Sequence, residues 1–230
     1  MSLPPPHFAI AIDGPAASGK STLANELAKR LGLVMVNSGA MYRAVTWQVL
    51  QEHIDPQDHP AVIALLNRLD IACGDDGLNS TLTINGRDPG EALRSEAVNA
   101  NVSTIAAIPE VRTKLVALQR DYLKHANIVM EGRDIGSVVF PDTPYKIYIH
   151  AAADVRAARR VNMGEIDSVA QRDAADSQRA TAPLRVAHGA AILDNSHHSI
   201  ESSVLAALDI LKQQGLRAGG PDGPVIGYQL

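Results

Sequence analysis

A chain of 230 residues, 46% of them apolar, is long enough and apolar enough for one large domain with a core of its own. A net charge of −4 gives no electrostatic support for a general role on nucleic acid or a membrane surface, and 3% aromatic residues leave little for a base-stacking surface. A single cysteine, Cys73, excludes an internal disulfide framework, no apolar run reaches the ~20 residues of a spanning helix, and Met1 to His7, with three prolines, lacks the parts of a signal peptide, so a cytoplasmic protein is expected, with a monomer as the default.

The first apolar run, Phe8 to Ile12, is bounded by Asp13. Gly14-Pro15-Ala16-Ala17-Ser18-Gly19-Lys20-Ser21 follows and reads G-x-x-x-x-G-K-S, the phosphate-binding P-loop pattern. After it, Leu23, Leu27 and Leu31, with Ala24 and Ala28 between them, mark an amphipathic helix. Strand, glycine loop and helix together let backbone N–H groups at a helix N-terminus point at an anion. Lys20 would reach the β- and γ-phosphates of a nucleoside triphosphate, and the Ser21 hydroxyl would ligate Mg2+.

Gly32 stops that helix, and Leu33 to Val36 reads as a second short strand. It ends at Asn37-Ser38-Gly39, with a helix from about Ala40. Ser38, Tyr42 and Arg43 then lie at the edge where strands end and helices begin, the place where a parallel sheet gathers ligand groups. Pro60 opens a helix with Val62, Leu65, Leu66 and Leu69 inward. From about 70 to 90 the pattern changes to short alternating pieces, with a turn at Asp75-Asp76-Gly77 and a hairpin signal at Asn85-Gly86. This predicts a small antiparallel β insertion, a natural cover for a second substrate. Residues 91 to 125 read as helical, restarted by Pro109, with Val111, Leu115, Leu118 and Tyr122 inward. Arg112 falls off the centre of that face, where pattern alone reads a solvated arginine.

Ile128-Val129-Met130 predicts another buried strand, running into Glu131-Gly132-Arg133-Asp134-Ile135-Gly136. Glu131 is a candidate to hold Mg2+, directly or through water, and Arg133 and Asp134 should emerge beside the P-loop. Tyr145 to Ile149 is the next strand, and Asp154 is placed to cap a short helix bearing Arg156, Arg159 and Arg160. Residues 161–171 are polar and read as mobile. Arg172, Asp176 and Arg179 then share one helical face, which reads either as a solvated ion-pair ladder or, flanking a mobile segment, as a lid that delivers arginines. Ala190 to Leu193 is the last strand. Ser199 caps a final helix with Val204, Leu205, Leu208 and Leu211 inward and Gly215 as its stop, and residues 216–230 read as a loose tail.

The strand candidates outside the insertion number five, with helices between them. The expected fold is α/β of P-loop NTPase type: a doubly wound, five-stranded, mostly parallel sheet with a small antiparallel β insertion and a short helical lid. One domain over 1–215 is expected, with the insertion at about 70–90, its helices to about 110, the lid at about 154–180 and a flexible tail at 216–230. A P-loop, a second-substrate module and an arginine-bearing lid describe a small-molecule kinase. A nucleotide switch is disfavoured because no N-K-x-D guanine signature occurs. The P-loop alone leaves the acceptor open among nucleoside monophosphates and small metabolites such as shikimate.

Four motifs in order narrow it. Ile12-Asp13-Gly14-Pro15 through Lys20-Ser21-Thr22, Asn37-Ser38-Gly39-Ala40-Met41-Tyr42-Arg43, Glu131-Gly132-Arg133-Asp134-Ile135-Gly136-Ser137-Val138-Val139-Phe140-Pro141, and Arg172-Asp173 through Asp176, Arg179 and Ala182-Pro183-Leu184 resemble the bacterial cytidylate kinases from about Ala9 to Leu211. The β insertion is also a mark of that family among nucleoside monophosphate kinases. Asn37 stands where the family usually has aspartate. The stretch between Arg160 and Arg172 is shorter than in longer members, and Ala174, Ala175, Ser177 and Gln178 stand where the family often has further arginines.

The resemblance implies transfer of the γ-phosphoryl group of ATP, with Mg2+, to CMP or dCMP. It implies ATP binding over Gly14, Pro15, Ala16, Ala17, Ser18, Gly19, Lys20, Ser21 and Thr22. Ser38, Arg43 and Arg133 would hold the CMP phosphate; Ser103, Arg112 and Asp134 would read the cytosine edge; Arg172 and Asp176 would reach the ribose, and Tyr42 belongs to the CMP-binding set. Lys20, Arg133 and Arg179, with Arg156 and Arg160, would neutralise the transferring phosphate. The implied partners are small molecules alone, with no nucleic acid and no membrane.

Overall fold

The computed structural model describes residues 7–162, 174, 176–179 and 182–217. Residues 163–173 of the expected lid, with Arg172 and Asp173 among them, and the tail beyond Arg217 lie outside the described residues.

Five strands form one sheet: β1 (Ala9–Asp13), β2 (Val34–Asn37), β5 (Ile128–Gly132), β6 (Lys146–His150) and β7 (Ala191–Asp194), in the order β2-β5-β1-β6-β7. Every pairing is parallel. Strands with helices on both faces are buried on both sides, which is why β1 and β5 are buried along their whole lengths and read as continuous apolar runs. Alternation still sorts the residues. Ile10 and Ile12 join Leu23 and Leu27 of α1 (Lys20–Leu31) and Val204 and Leu211 of α7 (Ile200–Gln213) in one core. Ala9 and Ala11 face the other side with Val36, Met130 and Ile135.

A second core lies off the sheet. It joins α2 (Ser38–Gln51), α3 (His59–Arg68), α4 (Glu96–Ala106) and α5 (Pro109–Asp121) through Val45, Leu65, Leu66, Ile105 and Leu115. The antiparallel ribbon of β3 (Ile71–Asp75) and β4 (Ser80–Ile84) packs Ile71 and Ile84 into it. The backbone N–H of Met35 donates to the carbonyl of Leu78 at 2.8 Å, which hooks the ribbon's turn onto the β2 edge.

Several local expectations need correction. The helix after β2 starts at Ser38 rather than about Ala40, because the Asn37 side chain accepts the Ala40 N–H at 3.0 Å and caps it there. Asn85 and Gly86 do form a tight turn with positive φ, but it closes only the Ile84–Arg87 bridge; the ribbon itself turns at 76–79. The stretch 91–125 is not one helical run. A 3-10 turn (Gly90–Arg94) precedes α4, and Ile108 breaks the chain before Pro109 opens α5. Asp154 lies within the first turn of α6 (Ala153–Asn162) and does not cap it. On α7, Leu205 is 55% exposed and Ala207 takes the inward place, since a position next to Val204 is turned about 100° away. Leu216 is buried in the sheet core, so the chain is held through that residue and is not loose from 216 onward.

Candidate active site

β1, β5 and β2 end side by side, and the groups singled out in the sequence converge at their carboxyl ends. The loop after β1 turns at Gly14, whose φ is +152° and where a Cβ would lie 2.1 Å from the Ile149 carbonyl oxygen. No larger residue fits. The loop delivers Lys20 as the first residue of α1, so the helix N-terminus opens on the loop. Lys20 is buried, and its Nζ donates to the Pro15 carbonyl at 2.7 Å. Burial, reinforced by Arg133, pulls its pKa from 10.5 down to about 7 against the opposing pull of Glu131, Asp13 and Asp176.

That shift has a sign. Between about pH 7 and 10.5 the unfolded chain keeps a proton that folded Lys20 has released, so this group makes stability rise with pH across that window. A triphosphate favours the charged amine and draws the proton back. ATP binding at pH 7.5 is expected to take up protons, read as a dependence of calorimetric heat on buffer ionisation enthalpy, and Lys20→Met should abolish the uptake.

Ser21 opens toward solvent on α1, and its hydroxyl donates to Glu131 Oε1 at 3.0 Å. Two oxygen donors therefore meet at the end of β5, a set that suits a hard cation. Thr22, beside it, is exposed. The buried Ser38 hydroxyl donates to the Glu131 carbonyl at 2.7 Å, which ties the start of α2 to β5. A Cβ on Gly132 would lie 2.5 Å from that hydroxyl, so the close approach requires glycine.

Arg133 spans the site. Its Nη1 donates to the Gly14 carbonyl at 3.1 Å and its Nε to Asp176 Oδ2 at 2.7 Å. Arg179 donates to the other oxygen of Asp176. Asp176, itself buried, thus joins two guanidinium groups beside the P-loop. Burial lowers the pKa of Arg179, and Asp176 opposes that.

Arg112 overturns the pattern reading. It is 5% exposed, donates to Asp134 and to the Ala106 carbonyl, and lies with its guanidinium carbon 5.4 Å from the centre of the Tyr42 ring. Asp134 is equally buried, and burial raises its pKa although Arg112 pulls the other way. Tyr42, Arg112 and Asp134 therefore make one buried cluster within electrostatic reach of Arg133 and Arg179.

Other expected residues sit further out. Arg43 turns toward α4 and donates to Asn99 Oδ1 at 2.6 Å and to the Leu93 carbonyl. Ser103 is half-buried on α4, one turn before the Ala106 carbonyl that takes Arg112. Arg156 donates to the Ala16 and Ala151 carbonyls, and Arg160 is buried one turn later on α6. Arg156 thus backs the P-loop from behind its carbonyl side.

Sequence reasoning left three residues without a role. Asp13 is 3% exposed and accepts the N–H groups of Ile135 and Gly136, both at 2.8 Å, which sets the turn that carries Arg133 and Asp134. Burial lifts its pKa to about 6. Arg159 and Asn195 both bond the Ser18 carbonyl. The available signal was their place: Asp13 ends the buried β1, and Asn195 directly follows the end of β7.

A parallel sheet ordered around β1, a glycine loop opening α1 and a buried lysine at its start define a P-loop protein built to hold phosphate. The family model "Cytidylate kinase" matches residues 10–213. A cytidylate kinase from Clostridium botulinum (strain Loch Maree / Type A3) is 39% identical over 218 residues, covering 90% of this chain and 99% of that protein. Others, from Streptomyces avermitilis and Shouchella clausii (strain KSM-K16), are each 37% identical, covering 91% and 90% of this chain and 94% and 96% of theirs. The chain belongs to the cytidylate kinase family.

Proposed function

We propose that the protein transfers the γ-phosphoryl group of ATP to CMP or dCMP, giving ADP and CDP or dCDP, as part of pyrimidine nucleotide metabolism. The observation that carries this is the buried Arg112–Asp134 pair against Tyr42, set beside a P-loop. Asp134 accepts from the 4-amino group of cytosine, Arg112 donates to N3 or O2, and Ser103 completes the edge. Uracil has no amino donor there and would leave a buried carboxylate unpaired, at a cost of about 1–3 kcal/mol.

The remaining roles are those that the resemblance to the family implies. Ser38, Tyr42, Arg43 and Arg133 hold the acceptor phosphate, and Arg172 and Asp176 reach the ribose. Lys20, Arg133 and Arg179, with Arg156 and Arg160, neutralise the group in flight. The acceptor phosphate is already an anionic nucleophile, so the chain needs no general base. Ser21 and Glu131 would hold Mg2+, which would offset the charge of the phosphates. One kinase domain over 1–215 carries this chemistry, with the ribbon and α4 as its acceptor module, residues 154–180 as its lid and the rest as a tail. No helix among the described residues is long and apolar enough to cross a membrane, which is compatible with a cytoplasmic monomer acting on small molecules alone.

Phosphorus NMR of a mixture with ATP, Mg2+ and CMP tests the reading. CDP and ADP should appear in equal amounts, and chelation of Mg2+ should stop both. Release of inorganic phosphate at a rate indifferent to CMP would make the protein an ATPase instead.

A further inference from the structure

Asn195 follows β7 and is buried, at 7% exposure. Its backbone N–H donates to the His150 carbonyl at 2.7 Å, which pins it beside the end of β6. Its side chain is fixed from the far side, because Oδ1 accepts the hydroxyl of Ser203, itself buried on α7. That leaves Nδ2 to donate to the Ser18 carbonyl at 2.8 Å. Arg159 of α6 adds a second donor to the same carbonyl at 3.2 Å, and its other terminal nitrogen donates to the Asn195 carbonyl at 2.8 Å. A Cβ on Gly19 would lie 2.4 Å from Asn195 Nδ2, so the amide presses directly against the loop.

The Ser18 carbonyl belongs to the same peptide plane as the Gly19 N–H, and in a trans peptide the two point in opposite directions. Holding the carbonyl back therefore aims the N–H forward into the loop. We propose that Asn195 is a positioning residue for ATP: its amide, braced by Ser203, orients the Ser18–Gly19 peptide so that the Gly19 N–H faces the triphosphate. This rests on the reading of the P-loop as the ATP site, and it extends the nucleotide machinery to residues after β7 and on α7.

The test is ATP affinity by titration calorimetry without acceptor, beside KM for ATP and for CMP and the melting temperature. Asn195→Asp keeps the volume and the acceptor for Ser203 but sets a carboxylate against the carbonyl; ATP should bind at least ten-fold more weakly. Asn195→Ala should lose several-fold without adding charge. Ser203→Ala, which frees the amide, should lose two- to three-fold and keeps the test open if the first variant fails to fold. In each, KM for CMP should stay within two-fold. ATP affinity unchanged in all three, or ATP and CMP constants rising together with a falling melting temperature, would overturn the proposal. A wild-type protein that binds ATP yet makes no CDP would sink the acceptor reading alone.

Discussion

Arg133→Ala should lower kcat by roughly 10³-fold or more, the scale of an arginine acting on a transferring phosphoryl group. The residue is the junction of the site. Its guanidinium reaches the Gly14 carbonyl and Asp176 at once, and through Asp176 it is linked to Arg179. Removing it deletes a positive charge beside Lys20 and cuts the tie between the P-loop and Asp176. The fold should tolerate this, because the side chain is 20% exposed and Asp176 retains Arg179. Arg133→Lys restores charge but not the planar fork that makes two bonds in different directions, so it should lie nearer to the alanine variant than to wild type. Steady-state kinetics with melting temperatures as a control reads both. A loss below ten-fold would remove Arg133 from the reaction.

Asp134→Ala should act on stability and recognition together. Arg112 would remain 5% exposed with its carboxylate gone, and breaking one side of a buried pair typically costs about 3–5 kcal/mol. Selectivity for CMP over UMP should fall by at least ten-fold, since the acceptor for the cytosine amino group is lost. The two effects separate in a double variant. Arg112→Met with Asp134→Leu removes both charges and should regain most of the stability, because an apolar replacement of a buried pair is often neutral or better. It should not regain turnover with CMP. Denaturation midpoints beside CMP and UMP kinetics distinguish the cases. A double variant that recovered CMP preference would show that the base is read elsewhere.

The architecture was legible because strong local signals agreed with the global fold. Each of the five sheet strands lies within one residue of its expected place, and Gly32, Pro109 and Ser199 mark helix ends as their chemistry dictates. The P-loop was legible for the same reason: its residues are contiguous. What periodicity missed were groups defined by tertiary meeting. Arg112 looks solvated on α5 because its partners, Asp134 and the Tyr42 ring, come from β5's end and from α2. Asp13 reads as a strand boundary until the chain brings Ile135 and Gly136 over it. Leu205 fails for another reason. A helix with apolar residues at neighbouring positions leaves the buried one undecided, and packing against α1 chose Val204, Ala207 and Leu211.

ADP release with ATP and Mg2+ against CMP, dCMP, UMP and AMP in parallel tests directly which acceptor the site takes. Release should be fast with CMP and dCMP, at least ten-fold slower with UMP, and slower still with AMP, whose purine presents a different edge to Arg112 and Asp134. Turnover with AMP or UMP as fast as with CMP would contradict this acceptor assignment, because a buried Arg112–Asp134 pair would then be reading nothing.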